Sequence, residues 1–240
     1  VDNIFIVKNL EWASASIKQK IIVGIAKKFG LNIPIAQPKY AGMLSTLEKR
    51  MNMSMLIDQV LAYNIEGDVV EVGCNDGKSA CLFQTYLQHY DLKKSLHVYD
   101  SFVGLPTPSY KDEFHYSTGD MAASVEQLVE NFHSLGLNVP NIYPGWFKDT
   151  LPKMLPDKIC FAHLDGDFYE SILESLIYVY PRLTMGAVCL IDDYADPVIH
   201  KSSNKLPGVK KACDKFFENK KESVSILYAG YYSHGYFRKF

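Results

Sequence analysis

The chain has 240 residues, 48% of them hydrophobic and 22% charged, with a formal net charge of −2. That is enough for one full-sized core, without the cationic excess of a nucleic-acid binder, so small molecules are the expected partners. No apolar run approaches the roughly 18 residues of a membrane span, and the five cysteines are odd in number and lack C-x-x-C pairing, which points to free buried thiols in a cytoplasmic, reducing setting.

Ile17, Ile21, Ile22, Ile25 and Phe29 recur at helical spacing with lysines between them, predicting an amphipathic helix that packs against its own domain. Pro34 and Pro38 mark a linker, so residues 1–40 form a helix and linker ahead of a domain over 41–240, whose first part, 41–66, is helical and faces the substrate. Ser45-Thr46-Leu47-Glu48 has the S-x-x-E spacing of a capping box, and Met51, Met53 and Met55 follow it.

Asp68 to Val72 is rich in valine and reads as a strand covered on both faces. It runs into Gly73-Cys74-Asn75-Asp76-Gly77 and a helix opening near Ser79. Neither a phosphate-binding G-x-x-x-x-G-K-[ST] nor G-x-G-x-x-G is present, and Glu71 and Asp76 suit a ligand with an ammonium or sulfonium, such as S-adenosylmethionine, better than a pyrophosphate. An ordinary strand-to-helix turn remains the alternative. Ser95 to Asp100 is a second strand; Asp100, 23 residues past Gly77, either grips the hydroxyls of a ribose or caps the following turn. The irregular stretch 101–119 has the length of a lid. Val125, Leu128, Val129, Phe132 and Leu135 give a helix, and Asn141-Ile142-Tyr143 a short strand before Pro144-Gly145-Trp146.

Ile159 to Leu164 is an apolar strand ending in Asp165-Gly166-Asp167; after a helix from Tyr169 to Tyr180, Gly186 to Ile191 ends in Asp192-Asp193-Tyr194. Adjacent parallel strands present their C-terminal ends on one side, so Asp165, Asp192 and Asp193 are expected to converge. Their mutual repulsion calls for a divalent cation, and oxygen ligands favour Mg²⁺, Mn²⁺ or Ca²⁺ over zinc; helix capping would explain one such strand end but not two. Val209, Ala212, Cys213, Phe216 and Phe217 form another buried helix face, and residues 224–237 a closing strand pair. Alternating strands and helices predict an α/β, Rossmann-like fold, its sheet mostly parallel with helices on both faces and an antiparallel C-terminal strand.

Glu71-Val72-Gly73, Asp100-Ser101-Phe102-x-Gly104-Leu105-Pro106, Gly145-Trp146-Phe147-x-Asp149-Thr150-Leu151-Pro152, Asp165-Gly166-Asp167-x-Tyr169-Glu170-Ser171, Tyr180-Pro181-Arg182-Leu183 and Asp192-Asp193-Tyr194 together resemble the macrocin O-methyltransferase family. The resemblance implies a fold like catechol O-methyltransferase, S-adenosylmethionine and Mg²⁺ (or Mn²⁺) as cofactors, a hydroxyl acceptor on a sugar or glycosylated natural product, and a homodimer. It implies Asp165, Asp192 and Asp193 as metal ligands, Asp167 as general base with Asp165 beside it, and Glu71, Gly73, Cys74, Asp76, Ser79, Asp100, Ser101, Gly145, Trp146 and Asp165 around the cofactor. His163, two residues before Asp165, is a further candidate for proton transfer, against an ordinary structural histidine. Three readings compete with this one: a D-x-D metal-dependent glycosyltransferase, a haloacid dehalogenase phosphatase, whose first D-x-D comes early in the chain, and a non-catalytic adenosyl-ligand-binding protein.

Overall fold

The computed structural model describes residues 46–240 except Phe114, 200–204 and Tyr231, together with residues 21, 24, 25, 28 and 29. The chain divides into two units, Val1–Ser45 and Thr46–Phe240. In the first, residues 21, 24, 25 and 28 are helical, and Ile21, Ile25 and Phe29 of the stripe expected to be packed are exposed. Ile17, Ile22, Pro34 and Pro38 lie outside the described residues.

In the second unit the valine-rich and apolar runs become strands because they can be covered on both faces. The order along the chain is α1 (Leu47–Ala62), β1 (Asp68–Val72), α2 (Lys78–Tyr90), β2 (Leu96–Asp100), α3 (Val125–Ser134), β3 (Asn141–Pro144), α4 (Phe147–Met154), β4 (Ile159–Leu164), α5 (Tyr169–Val179), β5 (Leu183–Asp192), α6 (Pro207–Phe217), β6 (Ser225–Ala229) and β7 (Tyr232–Arg238). The seven strands form one sheet, ordered β3-β2-β1-β4-β5-β7-β6. The first five are parallel and β7 is antiparallel to both β5 and β6, so the expected closing strand pair is an antiparallel hairpin. All six residues of β4 are buried, as are Val69, Val70 and Val72 of β1. One large apolar cluster joins β1, β4 and β5 to α5 and α6 through Ile172, Leu176, Val209 and Ala212.

Ser45 of the expected capping box lies outside the described residues. The cap of α1 is Thr46, whose Oγ1 accepts from the Lys49 N–H at 3.0 Å and donates to the Ala229 carbonyl at 3.0 Å. The second bond ties the helix start to β6, an anchor that short-range spacing does not reveal. Met53 is buried, whereas Met51 and Met55 are exposed, so α1 places only one of the three methionines in the core.

Candidate active site

Strand order reverses between β2-β1 and β4-β5, and the crevice outside the carboxyl ends of the strands at such a reversal is where open α/β sheets hold ligands. Two loops meet there. The Asp165 N–H donates to the Val72 carbonyl at 2.8 Å, and the Gly73 N–H to the Tyr99 carbonyl at 2.8 Å. Gly73 has φ +87°, and a Cβ there would stand 1.9 Å from the Asp165 carbonyl oxygen, so only glycine lets the loops after β1 and β4 pass each other.

At the loop after β1, Glu71 and Ser79 come together: Ser79 Oγ donates to Glu71 Oε1 at 2.5 Å, while Glu71 Oε2 is buried and has no hydrogen-bond partner among the described residues. Asp100 accepts from the Asn75 N–H at 2.8 Å and the Phe102 N–H at 2.9 Å, bracing both the glycine loop and its own turn. The α2 N-terminus at Gly77 has no side-chain cap. Gly145 docks beside this site, its N–H donating to the Asp100 carbonyl at 2.8 Å, and Trp146 next to it is partly exposed. Three candidates have local partners. Asp76 pairs with Lys78 at 2.8 Å, Ser101 Oγ donates to the Gly104 carbonyl at 2.7 Å, and the Cys74 thiol is buried, with burial and then Glu71 and Asp100 pushing its pKa well up.

On the acid side, β4 and β5 bring four carboxylates to one edge. Oxygens of Asp165, Asp167 and Asp193 lie within 4.8 Å of one another, and so do donor atoms of His163, Asp165 and Asp192. Asp167 and Asp193 are non-glycine residues at φ +58° and +52°, a left-handed conformation that costs energy and collects at functional sites. Burial and then the neighbouring carboxylates push Asp167 up to about 8 and Asp193 to about 7, and hold Asp165 well above the usual carboxylate range.

Asp192 is set apart by partners that the sequence reading missed. Lys49 of α1 donates to Asp192 Oδ2 at 2.6 Å, and His234 Nε2 of β7 lies 3.0 Å from Oδ1. Burial opposes the charge of Asp192, but Lys49 and then His234 outweigh it and hold its carboxyl well below the usual range. Burial likewise opposes the Lys49 ammonium, and Asp192, Asp193 and Asp165 overcome it and raise its pKa. His163 is fully buried; its Nδ1 meets Glu71 Oε1 at 2.8 Å, its ring stands edge-on to Phe83, and Nε2 has no hydrogen-bond partner among the described residues. Tyr116, from the 101–119 stretch, is half-buried near the cluster; burial and then Asp167 and Asp193 raise its hydroxyl pKa. That stretch is braced rather than loose: Asp112 accepts from the Ser109 N–H and Oγ and from the Tyr169 N–H at the head of α5. Tyr231, expected to offer a flat surface, lies outside the described residues.

The sequence matches the macrocin O-methyltransferase (TylF) family over residues 6–224. It is 34% identical over 168 residues to 8-demethyl-8-(2,3-dimethoxy-alpha-L-rhamnosyl)-tetracenomycin-C 4′-O-methyltransferase from Streptomyces olivaceus, covering 66% of this chain and 64% of that protein. Among solved structures, the O-methyltransferase NovP superposes with TM-score 0.67 at 26% identity over 80% of each chain. An O-methyltransferase from Bacillus cereus in complex with SAH superposes with TM-score 0.60 at 13% identity over 99% of this chain and 96% of that one, a likeness of fold alone. The sequence motifs, the sheet order with its crevice and this match over most of the length agree: the chain belongs to the macrocin O-methyltransferase family.

Proposed function

We propose that the chain transfers a methyl group from S-adenosylmethionine to a hydroxyl of a sugar or glycosylated natural product, with a divalent cation held at the acid cluster. The observation that carries this reading is the meeting of Asp165, Asp167, Asp192 and Asp193 beside the glycine loop of β1 at the sheet's reversal point. The family is one of methyltransferases, and the tetracenomycin relative is named for a rhamnosyl compound. Both favour this reading over the glycosyltransferase, phosphatase and binding-protein alternatives.

The residues at this edge fit both the cofactor and a divalent cation. For the cofactor, Glu71 Oε2 is a buried acceptor without a partner, and Asp100 ends β2 next to the uncapped start of α2. For the cation, Asp165, Asp167 and Asp193 offer the hard oxygen donors that Mg²⁺ or Mn²⁺ takes. When bound, the cofactor supplies an electrophilic methyl group and the cation lowers the pKa of the acceptor hydroxyl. Glu71 would accept from the cofactor's ammonium through Oε2, and Asp100 would hold its ribose. Asp167, at the same edge, would take the hydroxyl proton on a carboxylate oxygen that the cation leaves free. Tyr116 and the braced 101–119 stretch limit water at the same edge. The five free buried cysteines fit a reducing, cytoplasmic compartment. A homodimer belongs to the same reading, and light scattering tests it.

The test is calorimetric titration of wild type and Asp100→Ala with S-adenosylmethionine, S-adenosylhomocysteine and a nucleotide sugar, with Mg²⁺ or chelator. Binding of the adenosyl compounds that Asp100→Ala weakens at least about tenfold is expected, since a charge-assisted hydrogen bond is worth about 1.5–3 kcal/mol. Binding of the nucleotide sugar alone, and only with metal, overturns the reading.

A further inference from the structure

His163 lies on β4 opposite Glu71 of β1, and the two side chains meet between the sheet and α2. It has no access to solvent. The Glu71 carboxylate takes the Nδ1–H at 2.8 Å, and that bond directs the remaining lone pair to Nε2, which has no hydrogen-bond partner among the described residues. A ring nitrogen of His163 lies within 4.8 Å of donor oxygens of both Asp165 and Asp192. A buried polar atom without a partner carries a desolvation cost of about 1–3 kcal/mol, and the arrangement that offsets it is familiar from metal sites. A ligating histidine donates its other ring N–H to a carboxylate, which fixes the tautomer and raises the basicity of the ligating nitrogen.

We infer that Glu71 and His163 form a carboxylate–histidine arm of the cation site, with His163 Nε2 as a nitrogen ligand beside Asp165 and Asp192. The site is then a mixed nitrogen–oxygen seat that selects a transition-metal dication such as Mn²⁺, Fe²⁺ or Co²⁺ over Mg²⁺. The inference rests on the cation reading above and deepens it. Asp165 belongs both to this seat and to the oxygen-only group with Asp167 and Asp193. Asp192 keeps lone pairs for an ion beyond those engaged by Lys49 and the Asp193 N–H, with His234 Nε2 also beside it. In this arrangement Glu71 positions the imidazole through Oε1, and Ser79 holds the same oxygen from α2. The cofactor end of β1 and the cation site are thereby joined through one carboxylate.

The experiment is pulsed electron paramagnetic resonance of the full chain loaded with Mn²⁺, without cofactor or acceptor, in wild type, His163→Gln and His234→Gln, alongside calorimetric Mn²⁺ and Mg²⁺ affinities. A ¹⁴N coupling to Mn²⁺ in wild type that survives in His234→Gln and disappears in His163→Gln is expected. The Mn²⁺-over-Mg²⁺ preference should fall at least about tenfold in His163→Gln. Bound Mn²⁺ without ¹⁴N coupling in wild type overturns the nitrogen ligand and leaves an oxygen-only site, and this result needs no folded variant. A coupling lost in His234→Gln instead moves the ligand to β7 and also overturns the assignment. Failure of the wild type to bind either ion overturns this inference together with the cation in the proposed function.

Discussion

Removing divalent cations should make the protein less stable as pH rises, opposite to the usual behaviour of paired carboxylates. Asp167 is held up to about 8 and Asp193 to about 7, so the folded state keeps protons that the unfolded chain, with ordinary carboxyls, has already released. Stability then falls with pH by about 1.4 kcal/mol per pH unit for each such proton, and levels off above the folded pKa. The window for reading this is pH 6.5 to 8. His234 has a lowered pKa and contributes a slope of opposite sign, confined below its ordinary value of 6.5, and the depressed carboxyl of Asp192 acts only below 3.8. Across that window Asp167 alone accounts for about 1.7 kcal/mol, after discounting its partial ionisation near pH 8. The assay is urea denaturation in chelator at pH 6.5 and 8.0 for wild type and Asp167→Asn. Wild type should lose about 1.7 kcal/mol more than the variant, with the difference removed by saturating Mn²⁺. Equal losses in the two proteins, or a wild type that gains stability with pH, would refute the reasoning that burial and like charge together protonate this cluster.

Other perturbations probe the frame around the site. Gly73→Ala should destabilise by at least about 3 kcal/mol, because its Cβ would stand 1.9 Å from the Asp165 carbonyl oxygen at a φ of +87° that alanine resists; an unchanged Tm would show that the two loops can separate freely. Asp112→Ala removes the acceptor at the head of α5 and should cost about 1–2 kcal/mol, with faster amide hydrogen exchange at Ser109 and Tyr169; unaltered exchange there would mean that the stretch is held by other contacts. The five cysteines are free and buried, and burial pushes Cys81 to about 12 and Cys160 to about 11. A disulfide reagent should therefore titrate none of them in the native protein and all five after denaturation, and fast native labelling would contradict the packing.

Much of the frame was legible in the sequence because it depends on short-range patterns. Valine-rich and apolar runs separated by helical stripes specify strands and helices through side-chain periodicity alone, and a parallel sheet must bring the ends of β4 and β5 to one side. The acids after each strand could therefore be placed together before any coordinates. Lys49 and His234 could not. Lys49 reaches Asp192 across a separation of 143 residues, and His234 arrives on a strand that pairs backwards with β5. The hydroxyl of Thr46, the cap of α1, also reaches β6, 183 residues away. The individual states of the acids were equally hidden. Asp192 and Asp193 are neighbours in the chain, yet Lys49 holds one ionised while burial holds the other up to about 7. The same folding buries His163 against Glu71 and leaves Nε2 without a partner. Residue type and spacing determined that the acids meet at this edge; tertiary structure decided which other groups join them and what each does there, because desolvation and charge act through distance in space and not along the chain.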